Sequence, residues 1–137
     1  MIRAQVITHG DLGRELVRVT EMILGPVEGL TAMSNHGLAA VDITAAVEAW
    51  LTAEPAADTA GELASRGNLI LLDDYGGSCA TSAQLACGNA AGTDIISGVN
   101  LAMLLGFATW REAGDFDDLV ARIVQKGREA VVLLGSR

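Results

Sequence analysis

The histidine at position 9 is the first side chain in the sequence that could do chemistry, because it ends an apolar run and precedes Gly10. A second apolar run, residues 69–72, ends in the same way, in Asp73 and then in the glycine-rich stretch 76–78. In open α/β sheets, chemistry gathers at the carboxyl ends of strands. If the two runs are neighbouring strands, a histidine, a carboxylate and the glycine-rich start of a helix meet in one crevice.

These groups together suit a phosphohistidine. The neutral imidazole of His9 has one nitrogen with a lone pair, which attacks a phosphoryl group. A carboxylate that accepts the N–H of the other nitrogen fixes the tautomer and stabilises the product. The backbone N–H groups of Gly76 and Gly77 and the hydroxyl of Ser78, at a helix N-terminus, suit the phosphoryl oxygens. Transfer between two histidines needs no metal and no nucleotide, so no cofactor is expected.

Other interpretations of the same residues stay open. His9 and the glycines also suit a plain turn between a strand and a helix. A metal site is a second alternative, although its four residues lack a short ligand spacing: His9, His36, Asp73 and Asp74. A serine hydrolase using Ser78, His9 and Asp73 is a third. The G-x-S-x-G pattern of such enzymes needs a glycine where this chain has Ala80. His36 by itself is predicted to be a surface residue.

Composition limits the class of protein. The 137 residues, 50% hydrophobic, predict one folded domain over 1–137. No apolar run has the length of a membrane span and the N-terminus lacks a signal peptide, which predicts a cytoplasmic protein without membrane insertion. A net charge of −8 argues against nucleic-acid binding. The two cysteines, Cys79 and Cys87, lie ~12 Å apart along one predicted helix, too far for a disulfide.

Alternating strands and helices must position the candidate residues. The patterns predict strands at 2–8, 30–33, 69–72 and 95–96. They predict helices at 11–24, from Asp42 to a stop at Glu54-Pro55, at 78–89, at 100–112 and from Phe116 onward; the stretch up to Gly67 is ambiguous. This order predicts a doubly wound, three-layer α/β/α fold around a mostly parallel central sheet.

Three local features are also predicted. Asp11 and Ser78 are expected to cap the helices that they begin. The apolar stripe of the first helix is expected to consist of four residues: Leu12, Leu16, Val19 and Ile23. The apolar run 130–134, a helix end or a strand, is expected to pack on another surface, such as a second subunit.

Five segments, taken in order, resemble the IIA component of the mannose-family sugar phosphotransferase system (PTS), the type that serves mannose and fructose. They are THG at 8–10, EMILG at 21–25, DDYGGS at 73–78, GVNLAML at 98–104 and FDDL at 116–119. The resemblance covers nearly the whole chain. It implies a cytoplasmic phosphocarrier that accepts phosphate from HPr on His9 and passes it to a IIB domain or subunit for sugar uptake. It also implies association with the membrane IIC and IID components.

The matched positions imply roles for individual residues. Asp73 matches the aspartate that orients the histidine, and Ser78 matches the serine that contacts phosphate. The family's homodimers exchange a C-terminal strand, which would account for the run 130–134. Successive side chains of a strand point to opposite sides, so only one of Asp73 and Asp74 is expected to reach His9, and the resemblance selects Asp73.

The chain departs from the family pattern at three positions. Cys79 replaces a proline, Thr81 stands where asparagine is frequent, and Asp74 stands where threonine is common. Asp74 adds negative charge beside a site that must accept a phosphate dianion. These changes leave the carrier chemistry intact. They also leave open a second output, a regulatory phosphorelay without a direct role in transport.

Overall fold

The computed structural model describes residues 1–53, 67–88 and 90–135. In these segments the elements follow one another in the order β1 (Ile2–Thr8), α1 (Leu12–Leu24), β2 (Leu30–Ser34), α2 (Ala40–Thr52), β3 (Gly67–Leu72), α3 (Ser78–Cys87), β4 (Thr93–Ser97), α4 (Leu101–Trp110) and α5 (Phe116–Glu129). The predictions for 54–66 and the predicted helix end at Asn89 lie outside the described residues.

The strands form one parallel sheet in the order β2-β1-β3-β4. β1 and β3, which precede the candidate residues, are therefore the two central strands. Their register pairs Ile7 with Leu72, so the next residues along each strand, Thr8 and Asp73, are level with each other. The two strands that precede His9 and Asp73 are therefore neighbours, as the predicted site requires.

Both faces of the sheet are covered by helices. Side chains on one face of β1 and β3, such as Val6 and Leu71, pack with α4 and α5 and with residues of α1. Side chains on the other face, such as Ile7 and Ile70, pack with α2 and α3. The apolar runs of β1 and β3 are thus buried on both sides, as in other parallel sheets. The doubly wound three-layer α/β/α fold is confirmed.

The face that α1 turns toward the core differs from the predicted stripe. Leu16 packs on the core as expected, but Leu12 and Ile23 are exposed. The fully buried residues of the helix are Gly13 and Thr20. A Cβ on Gly13 would stand 3.0 Å from Thr8 Oγ1 and from Val6 Cγ1, so α1 approaches β1 closely at that glycine. This close approach rotates the helix away from the side that hydrophobicity alone indicated.

Several helix limits also differ from the predictions. α2 begins at Ala40 because Asp42 lies inside its first turn, where its carboxylate accepts a hydrogen bond from the N–H of Ala39 (3.0 Å). Ser78 is not the cap of α3. It is the first helical residue, and the extended N-cap position is occupied by Gly77. The helix ends at Cys87, since Gly88 has a φ of 50°.

The C-terminal run is exposed in the chain. Residues 131–135 follow α5 without regular structure, and Val131 and Leu134 are 83% and 90% exposed. Neither the helical nor the strand interpretation holds for the single chain, and packing on a second subunit stays a prediction. Cys79 and Cys87 are free, as the helical spacing predicted, and both are buried. None of the helices in the described segments is long and apolar enough to cross a bilayer.

Candidate functional site

The candidate residues lie where the chain reverses the direction in which it builds the sheet. From β1 the chain goes through α1 to β2 at one edge, and then returns through α2 to β3 on the other side of β1. The segments that follow β1 and β3 therefore diverge and leave a crevice between them. Such switch points are the usual binding sites of open parallel sheets.

His9 and Asp73 meet in this crevice. Asp73 Oδ2 accepts a hydrogen bond from the backbone N–H of His9 (3.0 Å) and lies 2.8 Å from Nδ1 of the ring. The proton of the neutral ring is therefore on Nδ1, where the carboxylate accepts it, and the lone pair is on Nε2. The His9 side chain is 53% exposed and that of Asp73 only 15%, so the ring faces solvent while the carboxylate that holds it is largely buried.

The contact changes the ionisation of both partners. The hydrogen bond to Asp73 and the charge of that carboxylate raise the pKa of His9 above its usual 6.5, and Asp74 raises it further. Burial opposes the ionisation of Asp73, but hydrogen bonds from His9 and from the N–H of Asp74 outweigh it and lower the pKa of that carboxyl. The lowered pKa favours the charged carboxylate of Asp73, and the raised pKa means that His9 keeps its second proton to a higher pH than a free imidazole does.

The free nitrogen of His9 faces the start of α3. A Cβ on Gly77 would stand 3.6 Å from Nε2 and 3.5 Å from Cε1 of the ring. The first N–H groups of this helix, on Ser78, Cys79 and Ala80, have no acceptor within the helix, and Gly77 provides no capping side chain. These donors and the helix dipole favour an anion next to Nε2. The structure thus brings together His9, Asp73 and the glycine-rich helix start.

Asp74 does not bind the histidine. Its Oδ1 accepts a hydrogen bond from the N–H of Gly76 (3.0 Å), and the residue is exposed. The expectation that one carboxylate alone contacts the ring is confirmed. Strand alternation is not the cause, because β3 ends at Leu72. The turn that follows the strand separates the two side chains instead.

Two residues that hold the site were missed from the sequence. Thr8 Oγ1 accepts a hydrogen bond from the N–H of Gly13 (2.7 Å), a capping contact that was predicted for Asp11. Asp11 binds Arg14 instead, at 3.1 Å. Asn35 forms hydrogen bonds with the residues before and after His9. Its N–H donates to the carbonyl of Thr8 (3.0 Å), and its Oδ1 accepts from the N–H of Gly10 (3.2 Å). A threonine and an asparagine at strand ends were the available signals.

The side chains of the remaining candidates, which lie in the described segments, form no hydrogen bond with His9 or Asp73. His36 is exposed in the turn after β2, as predicted. Burial raises the pKa of the Cys79 thiol, and the charge of Asp73 raises it further, so the group stays protonated at neutral pH. Within residues 1–53, 67–88 and 90–135, no three His, Cys, Asp or Glu side chains are grouped as a metal ion would require.

The sequence matches a known protein family over most of its length. The EIIA-man family, described as PTS system fructose IIA component, matches residues 5–124. The PTS system mannose-specific EIIAB component of Escherichia coli K12 is 30% identical to the chain over 131 residues. That match covers 95% of this chain but 38% of the relative, so the chain spans well under half the length of the curated relatives it matches.

Solved structures show the same fold. The PTS component EIIA from Streptococcus agalactiae superposes with a TM-score of 0.82 at 21% identity, and the match covers 97% of each chain. The mannose/sorbose specific IIA subunit from Enterococcus faecalis superposes with a TM-score of 0.72 at 26% identity, over 98% of this chain and 96% of that one.

Proposed function

The chain belongs to the mannose-type IIA family of the phosphotransferase system, and from that membership we propose that it carries a phosphoryl group on Nε2 of His9. The observation that carries the proposal is the orientation of one ring. Asp73 holds Nδ1 at 2.8 Å, and the opposite edge of the imidazole faces the N-terminus of α3. Family membership supports a phosphotransferase role in general. The donor, the acceptor and the residue are proposed here.

The proposed reaction exchanges one phosphorus–nitrogen bond for another. The lone pair of Nε2 attacks the phosphorus of a phosphohistidine on HPr, and the bond to the HPr ring breaks, with its electron pair returning to that ring. Nδ1 keeps its proton throughout, hydrogen-bonded to Asp73, which stabilises the positive character of the product ring. In a second transfer, a IIB domain or subunit takes the group from His9 by the same chemistry.

The start of α3 is the proposed binding site for the phosphoryl oxygens. A Cβ on Gly77, the N-cap of α3, would stand 3.6 Å from Nε2, and the N–H groups of the first turn, including that of Ser78, have no acceptor within the helix. Donors fixed in this way stabilise negative charge without reorganising during the reaction. The proposed roles are therefore nucleophile for His9, positioning residue for Asp73 and phosphate binding for Gly77 and Ser78. Gly76, which the sequence also suggested for phosphate binding, donates its N–H to Asp74 Oδ1 instead. No cofactor is proposed.

The same constellation does not favour a hydrolase. In a serine hydrolase, the seryl hydroxyl would donate to Nε2, and in the described residues Ser78 forms no hydrogen bond with His9. A carrier also agrees with family membership, whereas hydrolysis does not. A regulatory phosphorelay uses the carrier chemistry unchanged and differs only in what reads the phosphorylated fraction.

We also propose a biological setting for the carrier. The chain acts as one IIA domain over 1–137, in the cytoplasm, and serves sugar uptake together with membrane IIC and IID components. It forms a homodimer in which the exposed run 130–134 packs on the partner. β4, which has a free sheet edge in the described structure, offers a surface for such a segment.

Phosphorylation in a reconstituted system tests the proposal. The chain is incubated with phosphoenolpyruvate, enzyme I and HPr, and its intact mass is then measured. We expect the mass of one acid-labile phosphoryl group on the wild type and none on His9→Ala. His36→Ala is the matched control, because that residue is exposed and its ring takes no part in the hydrogen bonds that hold His9, and it should be phosphorylated like the wild type. A His9→Ala chain that still gains the group contradicts the proposal.

A further inference from the structure

We propose that Asp74 sets the phosphoryl-transfer equilibrium of the site by destabilising the phosphorylated form of His9, an inference that rests on the proposed function. Asp73 and Asp74 are adjacent in sequence but act on different sides of the same ring. The first holds Nδ1, whereas the second is placed on the side of Nε2.

The carboxylate of Asp74 is fixed beside the reactive nitrogen. Its Oδ1 is held by the hydrogen bond from the N–H of Gly76 (3.0 Å). This oxygen lies 3.6 Å from the point where a Cβ on Gly77 would stand, and Nε2 of His9 lies at the same distance from that point. The carboxylate and the nitrogen therefore face one small space, and a phosphoryl group bonded to Nε2 enters it.

The two states of the ring respond to Asp74 in opposite ways. The unphosphorylated ring is stabilised in its positive form, and the charge of Asp74 contributes to the raised pKa of His9. A phosphoryl group brings about two negative charges, which the carboxylate repels, while the ring that keeps its Nδ1 proton becomes positive and offsets part of this repulsion. For charges ~6 Å apart in a water-like dielectric, the net repulsion changes an equilibrium constant by about tenfold at most. Salt reduces the effect, because Asp74 is exposed.

Such repulsion is useful in a carrier. A phosphohistidine that is too stable receives its group readily but gives it up poorly. A fixed negative charge next to the phosphoryl group lowers the affinity of His9 for it, and the group passes more completely to the next acceptor. Asp74 thereby offsets part of the stabilisation that the N-terminus of α3 provides.

Replacement of Asp74 by neutral residues tests the inference. Asn and Ser side chains both have an oxygen that accepts the N–H of Gly76, so Asp74→Asn and Asp74→Ser keep the turn. Each variant is mixed with phosphorylated HPr, and the phosphorylated fraction of both proteins at equilibrium is measured by intact mass at low and high salt. We expect both variants to shift the equilibrium toward phosphorylated His9 by about three- to tenfold at low salt. The shift should shrink at high salt.

The matched control is Asp117→Asn. It removes the same charge, but at the start of α5, where the neighbouring Phe116 ring packs against Gly67 at the opposite end of β3. This variant should leave the equilibrium unchanged. An unchanged constant in both Asp74 variants overturns the inference alone. A constant shifted toward HPr overturns it by showing that the carboxylate assists the phosphoryl group, for example through a cation. A wild-type chain that accepts no phosphoryl group on His9 removes the proposed function and this inference together.

Discussion

The methyl group of an alanine at position 77 probes where the phosphoryl group sits. Gly77 has φ −110° and ψ −177°, an extended conformation that alanine adopts without strain. The new Cβ would stand 3.5 Å and 3.6 Å from Cε1 and Nε2 of His9, which is ordinary van der Waals contact. The unphosphorylated protein should therefore fold normally. Alanine is a poorer N-cap than glycine, so we expect a loss of about 1 kcal/mol at most in unfolding free energy.

The phosphorylated protein should be affected much more. The methyl group would fill the space next to Nε2 into which, in our proposal, the phosphoryl oxygens extend toward the first turn of α3. Overpacking of a filled site costs about 1–3 kcal/mol, and because each 1.4 kcal/mol is tenfold, the phosphorylation equilibrium should fall by about 5- to 150-fold. The methyl group and the phosphoryl group overlap only in the phosphorylated protein, so the unphosphorylated chain should not show this loss.

Gly76→Ala is the matched control for Gly77→Ala. It adds the same methyl group one residue earlier, where no atom lies within 4 Å of the new Cβ, and it keeps the N–H that Asp74 accepts. Phosphorylation from HPr is followed by intact mass, and stability by urea unfolding. We expect Gly76→Ala to be phosphorylated like the wild type and Gly77→Ala to be deficient at nearly unchanged stability. If both variants are phosphorylated equally well, the phosphoryl group does not lie against the start of α3.

Three further changes test the positioning of the ring and the assembly. Asp73→Asn should lower the transfer rate by about ten- to a hundredfold. Nε2 has its lone pair only in the neutral ring, so the rate of the wild type should rise with pH through a pKa above 6.5. In Asp73→Asn this rise should move to lower pH. A pH profile that does not move contradicts the proposed contact between Asp73 and His9. The protonated ring also stabilises the fold through its contact with Asp73. This contribution is present below pH 6.5 while Asp73 is ionised and is lost as pH rises through the raised pKa of His9, which urea unfolding against pH can detect. Asn35→Ala removes the acceptor of the Gly10 N–H. It should cost about 0.5–1.5 kcal/mol of unfolding free energy and slow phosphoryl transfer. Asn35→Asp keeps the acceptor and should recover the stability. Sedimentation should show about twice the chain mass of 14.2 kDa. Truncation after Glu129 should dissociate or unfold the dimer. If the intact chain is a folded monomer at micromolar concentration, the run 130–134 has another role.

The layers of the fold could be predicted because strands and helices alternate and because residues 69–72 of β3 form a continuous apolar run, which suits a strand covered on both faces. In β1 the apolar pattern is interrupted by Arg3 and Gln5, so that strand alone indicated the layers less clearly. The orientation of α1 could not be predicted. Hydrophobicity placed Leu12 and Ile23 toward the core, whereas the structure packs Gly13 against Thr8. A glycine contributes nothing to a hydrophobic pattern, although its missing side chain decides how closely two backbones approach.

The meeting of His9 with the end of β3 could be predicted only on the condition that β1 and β3 are neighbours, since neighbouring parallel strands end at the same edge, and the structure meets that condition. The supporting contacts could not. Thr8 and Asn35 act through single hydrogen bonds to loop N–H groups, and those bonds depend on the path of each loop after its strand. Their residue types agree with such roles but do not identify the partner.

The two adjacent aspartates show why the path of a loop matters to the chemistry. Asp73 Oδ1 accepts the N–H of Asp74, and Asp74 Oδ1 accepts the N–H of Gly76, so two successive hydrogen bonds turn the chain immediately after β3. This turn leaves Asp73 against Nδ1 and brings Asp74 toward the space at Nε2. In our proposal the first carboxylate makes the ring nucleophilic, and the second limits the stability of the product. A group that must be accepted from one protein and released to another requires both effects.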